Sequence, residues 1–162
     1  MRMELAKLSL AARGSGRTMI DEAYINEVCI PDVRGSIFQL TDAIAQQQSE
    51  QALRIYSNML EQRTAPQYIL FMVARHFRQL LVASEAASVQ DLMSRLACGK
   101  FVADKLWRQK AKFKQEQLSF IYLLCAESDY GIKSGKMDES NALELLILQA
   151  LRPPLIDGSG LR

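Results

Sequence analysis

The chain has 162 residues and a mass of 18.3 kDa, the size of one domain with a sizeable core. Its apolar share of 49% and charged share of 23% exclude wholesale disorder, and its net charge of +2 is too small to indicate nucleic acid or an anionic membrane by itself. It holds only eight glycines and four prolines, whereas strand-rich folds need more turn residues. The composition therefore predicts an all-α protein.

The first thirty residues predict two short helices. Met3–Ala12 repeats apolar residues at three- and four-residue intervals, and Gly14–Gly16 ends the helix because glycine tolerates non-helical conformations. A second helix is predicted over Asp21–Cys29. Because the residue before a proline is pushed out of the α region, Pro31 ends that helix, and Pro31–Gly35 is the predicted linker. We expect residues 1–30 to form a unit separate from the rest.

The remainder of the chain predicts a compact helical bundle over residues 36–152. Short connections between successive helices place neighbours antiparallel to one another. Pro153–Pro154 closes the bundle, and residues 153–162 are predicted to be a flexible tail. The predicted helices are Ser36–Ala45, one beginning at Ser49, a long one with Pro66 in its first turn, a short one capped by Ser88, Phe101–Phe113, Gln115–Asp129, and one from about Asp138 to Leu151.

No catalytic, metal or cofactor site is predicted. Three cysteines lie far apart and are odd in number, which indicates reduced thiols rather than disulfides or zinc ligands. The only histidine, His76, is expected on a helix surface. The carboxylates are scattered at helix ends, and those at helix N-termini are explained by capping and by the helix dipole. The longest apolar run, Tyr68–Ala74, is much shorter than the about 20 residues that a membrane span needs. We expect a soluble, cytoplasmic protein.

Two arginines on the long helix, Arg75 and Arg78, lie one turn apart. Two guanidinium groups on one helix face suit carboxylates on a partner or on a neighbouring helix. The same spacing is also typical of an ordinary solvated face. The sequence leaves both interpretations open.

The segment Lys100–Lys114 is unusually basic, with six Lys and Arg residues against Asp104 alone. Three of the basic residues share one helix face, and two aromatic residues are interleaved with them. Such a face can hold phosphates and stack an unpaired base, although a solvated lysine-rich face has the same pattern. The candidate DNA-contact residues are Lys105, Trp107, Arg108 and Lys112.

Several short motifs follow one another in a specific order along the chain. They are Met3–Leu8, Ser36–Ile44, Ala52–Leu53 with Leu60, Pro66 before Ile69–Leu70, Arg75–Leu81, Asp129–Gly135 and Leu143–Glu144. In order and spacing they resemble the delta subunits of bacterial DNA polymerase III clamp loaders. The resemblance covers residues 3–152.

This resemblance implies a domain organisation and a set of partners. Residues 1–30 would be the remnant of a middle helical domain, and residues 36–152 the helical collar domain, which packs beside equivalent domains of the other loader subunits in a hetero-pentamer. Family members carry an additional amino-terminal domain that engages the sliding clamp, so the chain would be the carboxy-terminal portion of a delta subunit. Delta is not an ATP-hydrolysing subunit, so no autonomous activity is expected within the polymerase holoenzyme.

Two functional hypotheses follow. The first is an oligomerisation module whose exposed helix flanks pack against other loader subunits, with Arg75, Arg78 and Lys133 as candidate rim residues. Lys133 has an alternative role, because a lysine at that position can satisfy carbonyl groups at its helix end. The second hypothesis is a free-standing helical nucleic-acid-binding module that uses Lys100–Lys114 to contact DNA.

The amino-terminal segment also predicts how the chain behaves in isolation. If the chain is the carboxy-terminal portion that the resemblance implies, several apolar residues of this segment would lack the helices on which they pack in a complete subunit. Burial of a Leu or Ile side chain contributes about 1.5–3 kcal/mol, so we expect the segment either to dock on the bundle or to be buried in a homodimer. The residues concerned are Leu5, Leu8, Ile20, Ile25 and Val28.

Overall fold

The computed structural model describes residues 2–14 and 33–152, and all regular secondary structure within these ranges is helical. The all-α prediction is confirmed. Eight helices occur in the described ranges: α1 (Arg2–Gly14), α2 (Val33–Ala45), α3 (Ser49–Glu61), α4 (Pro66–Glu85), α5 (Val89–Leu96), α6 (Lys100–Lys110), α7 (Gln115–Lys133) and α8 (Glu139–Ala150).

Several helices begin at the residues that the sequence indicates. Pro66 occupies the first turn of α4, where a backbone N–H would have no intrahelical partner. The Ser88 hydroxyl accepts a hydrogen bond from the amide of Asp91 at 3.1 Å, which caps α5. The Asp138 carboxylate caps α8 by accepting from the amides of the second and third residues that follow it. Local capping therefore sets these boundaries.

Other boundaries differ from the sequence prediction. Helix α2 begins at Val33, so Val33–Gly35, predicted as linker, are helical. Glycine in a helix costs only about 0.5–1 kcal/mol relative to alanine, through backbone entropy, so Gly35 does not prevent the helix from beginning at Val33. Helix α6 ends at Lys110, before the predicted end at Phe113. Helix α7 continues past the predicted end at Asp129 to Lys133, and Gly135, with a φ of 69°, follows that end.

Helix α4 is the centre of the bundle and packs against α2, α5, α6, α7 and α8. Its inward residues recur at three- and four-residue spacing, so one face is apolar along the whole helix. Phe77 and Leu80 on that face are fully buried. The core around them holds the apolar residues that the periodicity of α2, α7 and α8 predicts, including Leu40, Leu118 and Leu143.

Three predictions fall outside the described residues. They are the helix over Asp21–Cys29, the flexible tail after residue 152, and the docking or homodimerisation of the amino-terminal segment. The apolar side chains on which the last prediction rests are not among those described. It stays a prediction.

Candidate interaction surfaces

One side of α4 is exposed although most of the helix is buried. Tyr68 and Phe71 are 49% and 59% exposed, and Arg75 and Arg78 follow them on the same face, because residues three and four apart are neighbours on a helix. We call these four residues the α4 stripe. The stripe joins two solvent-facing aromatic rings to two guanidinium groups. Aromatic residues and arginine are the types that dominate protein–protein interfaces.

A groove of about 400 Å³ runs between α4 and α7 beside the aromatic end of the stripe. Phe71 and Leu70 line it from α4, and Tyr122 and Cys125 line it from α7. Burial raises the pKa of the Cys125 thiol to about 12, so this side chain is a neutral part of the wall. The groove can accept an apolar side chain from another molecule.

Lys133 lies at the polar end of this α4–α7 groove. Its Nζ donates to Asp129 Oδ2 at 2.7 Å, one turn earlier on α7. The side chain therefore pairs with a carboxylate on its own helix, and not with carbonyl groups at the helix end. The structure places Arg75 and Arg78 together on the α4 stripe and Lys133 across the groove from it.

A second groove, the basic groove, lies between α2 and the end of α6. It is lined by Lys105, Arg108 and Lys112 together with Gly35, Phe38, Gln39, Asp42 and Gln109. Three of the four candidate DNA-contact residues thus share one concave surface. Trp107 lies outside it, and the Nζ of Lys110 covers its ring at 3.2 Å from the centroid while donating to the carbonyl of Ala83.

Much of the charge in the basic groove is compensated within the protein. Lys112 Nζ is 2.9 Å from Asp42 Oδ1. Lys105 Nζ lies over the rings of Phe38 and Phe101, at 5.3 Å and 4.7 Å from their centroids, in cation–π geometry. Arg108 is exposed and forms no ion pair with any residue of the described ranges.

A buried polar contact lies beneath the basic groove. His76 of α4 and Gln109 of α6 are each 4% exposed, and His76 Nε2 is 2.7 Å from Gln109 Oε1. The Gln109 amide nitrogen donates to Asp42 Oδ1 at 2.7 Å and to the carbonyl of Phe38 at 3.1 Å. One glutamine therefore ties α6 to both α2 and α4.

The predicted surface position of His76 is wrong. His76 lies three residues after Val73 and four before Leu80, and this spacing puts it on the buried face of α4. Desolvation lowers its pKa from 6.5 to about 4, although the hydrogen bond to Gln109 and the charge of Asp42 act in the opposite direction. The ring is neutral at pH 7. The helical spacing alone could have identified this position.

The described part of the chain contains neither a membrane-spanning helix nor a cluster of metal ligands. None of its helices combines the length and the apolar character that crossing a membrane requires. Within the same ranges, no three His, Cys, Asp or Glu side chains come together as metal ligands.

Known proteins resemble the chain in sequence and in structure. The family described as the DNA polymerase III delta subunit, C-terminal domain, matches residues 34–150. The DNA polymerase III subunit delta of Bacillus subtilis is 29% identical over 121 residues, which are 72% of this chain and 35% of that protein. A solved structure, the Bacillus subtilis DNA clamp loader delta protein, superposes with a TM-score of 0.74 at 25% identity over 93% of this chain and 45% of its own. The chain thus spans less than half the length of these relatives.

Proposed function

The chain belongs to the DNA polymerase III delta subunit family, and we propose on that premise that residues 36–152 are the collar domain that holds delta beside the other subunits of a bacterial clamp loader. Residues 1–30 then belong to the domain that precedes the collar in a complete subunit. The domain acts in the cytoplasm and contributes no catalytic group of its own to the replicative polymerase. Its role is assembly.

The α4 stripe is the observation that carries this proposal. A phenylalanine 59% exposed beside an apolar groove leaves in water a surface whose burial contributes about 1.5–3 kcal/mol. A neighbouring subunit gains that energy by covering Phe71 and placing an apolar side chain in the α4–α7 groove. Arg75 and Arg78 then lie at the polar rim, where they can pair with carboxylates of the partner.

The test is association of the chain with the other loader subunits, followed by analytical ultracentrifugation. Phe71→Ala is expected to weaken association by about tenfold or more, as truncation of an interface anchor does. Phe101→Ala is the matched control, because Phe101 is 73% exposed on α6 and does not line the α4–α7 groove. Unchanged association of a folded Phe71→Ala variant would contradict the proposal.

The basic groove supports a second proposal, contact with DNA. The supporting observation is that Lys105, Arg108 and Lys112 line one concave surface. The contact is sequence-independent and made to phosphates, since Lys110 already covers the Trp107 ring on which a base would stack. Binding of the assembled loader to single-stranded oligonucleotide, measured against salt, tests it. Arg108→Gln is expected to reduce the salt slope by about one, whereas Arg54→Gln on α3 is not.

A further inference from the structure

A third concave surface lies on the other side of the α4 stripe from the α4–α7 groove. It has a volume of about 200 Å³, and we call it the arginine groove. Its charged residues are Arg34 of α2 and Arg75 of α4, and its floor is apolar. The lining residues are Arg34, Ile37, Phe38, Met72, Arg75, His76, Gln79, Leu96, Ala97, Cys98 and Val102.

Within the described part of the chain, no carboxylate compensates the positive charge of the arginine groove. Its lining contains no carboxylate, and neither Arg34 nor Arg75 forms an ion pair with any residue in the described ranges. The first turn of α6, which contributes Val102, has no acidic residue and no side-chain cap. The positive end of the α6 dipole therefore adds to the field of the two guanidinium groups.

His76 supplies a buried polar atom at the edge of this groove. Both hydrogen bonds of the Gln109 amide nitrogen go to acceptors on α2, so Gln109 Oε1 faces His76 and must accept from a protonated Nε2. The other ring nitrogen, Nδ1, has no hydrogen-bond partner among the described residues, although the side chain is only 4% exposed. In this neutral tautomer Nδ1 is an acceptor, so the partner that it lacks is a donor, which the backbone N–H of a segment bound in the groove can supply.

We propose that the arginine groove binds a carboxylate carried by an apolar segment of a neighbouring clamp-loader subunit. This inference rests on the proposed assembly function and assigns a second contact to the same interface. Planar guanidinium forks match the geometry of a carboxylate. The floor of Ile37, Met72 and Leu96 fits the apolar stem and neighbours of an acidic side chain better than it fits a hydrated phosphate. The charge of a bound carboxylate also stabilises the imidazolium form of His76 and so raises its pKa, and Nδ1–H donates to the carboxylate once the ring is protonated in acid.

Because the chain has one histidine, its ring signals in an NMR spectrum belong to His76 alone. The probes are the peptide acetyl-Leu-Glu-Leu-amide, its counterpart with Gln in place of Glu, inorganic phosphate and single-stranded oligonucleotide, each added to the full chain. We expect the Glu peptide to move the ring signals and to raise the pKa of His76 from about 4 toward its ordinary value. The Gln peptide is expected to leave both unchanged. An equal response to phosphate or to the oligonucleotide would overturn the proposal in favour of a general anion site.

Arg34→Gln tests the groove in the assembled complex, and Arg108→Gln in the basic groove is its matched control. Arg34→Gln is expected to abolish the response to the Glu peptide and to weaken association with the other loader subunits by about tenfold, as loss of a charged interface contact does. Unchanged association and an unchanged peptide response in the folded Arg34→Gln variant would overturn the proposal. If Phe71→Ala weakens association while Arg34→Gln does not, the assembly function stands and this inference fails. If neither variant weakens association, both the assembly function and this inference fail.

Discussion

The basic groove and the arginine groove differ in how their positive charge is balanced. In the basic groove, Lys112 lies 2.9 Å from Asp42, a residue seventy positions earlier, and Lys105 lies over two aromatic rings. In the arginine groove, Arg34 and Arg75 form no ion pair with a carboxylate of the described residues. A dense run of lysines in the sequence therefore gives less available charge than two arginines far apart, because only the fold decides which charges are compensated.

The two grooves also differ in what holds them in place. The basic groove lies over the contact in which Gln109 joins α6 to α2 and to His76 of α4. A buried polar contact of this kind fixes one relative position of three helices, because any displacement leaves several polar groups without partners. Both grooves share His76 or its partner, so changes to this contact test how far the two surfaces are coupled.

Gln109→Leu has the largest expected effect. Leucine fills a similar volume but removes the hydrogen bonds that Gln109 forms with His76 Nε2, the Phe38 carbonyl and Asp42. We expect the free energy of unfolding to fall by about 2–4 kcal/mol, measured by urea denaturation. Gln90→Leu, at an exposed position on α5, is the control and is expected to change stability by less than about 0.5 kcal/mol. Equal effects of the two variants would show that the buried contact contributes nothing specific.

Acidification tests the same contact through His76. Well above pH 6.5 the ring is neutral in both the folded and the unfolded chain, so it adds no pH dependence to the free energy of unfolding. Between pH 6.5 and about 4 the unfolded chain binds a proton that the folded chain does not bind, and stability must fall. We expect this residue to account for a loss of about 2–3 kcal/mol by pH 4.

Carboxylates elsewhere also titrate in acid, so the measurement compares the original chain with His76→Gln. The difference between their pH profiles isolates the only histidine. Parallel profiles from pH 7 to pH 4 would show that His76 protonates as easily in the folded chain as in the unfolded one.

Most of the fold could be predicted from the sequence because it depends on local signals. Apolar spacing at 3.6-residue period predicts the core faces, and Pro66, Ser88 and Asp138 mark helix starts through interactions within one turn. The start of α2 was missed, because Gly35 and Pro31 signal a break while the chain already has helical geometry at Val33. Family resemblance then supplied what local signals do not contain, the delta subunit family to which the chain belongs.

The candidate surfaces were less predictable because they depend on residues far apart in the sequence. Lys105, Arg108 and Lys112 could be placed on one face from their spacing. The ion pair of Lys112 with Asp42 could not be predicted, since it depends on how α2 and α6 pack. The arginine groove was missed for the same reason. Arg34 belonged to a predicted linker, and nothing in the sequence brings it near Arg75.

Asp42→Ala has an intermediate expected effect. Asp42 accepts hydrogen bonds from Gln109 and from Lys112, but it is itself partly exposed, so water replaces some of what is lost. We expect a destabilisation of about 1–2 kcal/mol in urea denaturation. The variant also removes the counter-charge of Lys112, so the basic groove should bind single-stranded oligonucleotide more tightly and with a steeper salt dependence. No change in either quantity would mean that Asp42 does not compensate the groove.

Lys112→Gln has the smallest expected effect and separates the ion pair from the buried contact beneath it. The side chains of Lys112 and Asp42 are each 41% exposed, and an ion pair at that exposure contributes little because water screens it. We expect a change of less than about 0.5 kcal/mol in the free energy of unfolding, and a smaller one at high salt. If Lys112→Gln destabilised the chain as much as Asp42→Ala, the ion pair and not Gln109 would hold α6 against α2. The basic groove would then depend on its own surface charges, and its contrast with the arginine groove would need a different explanation.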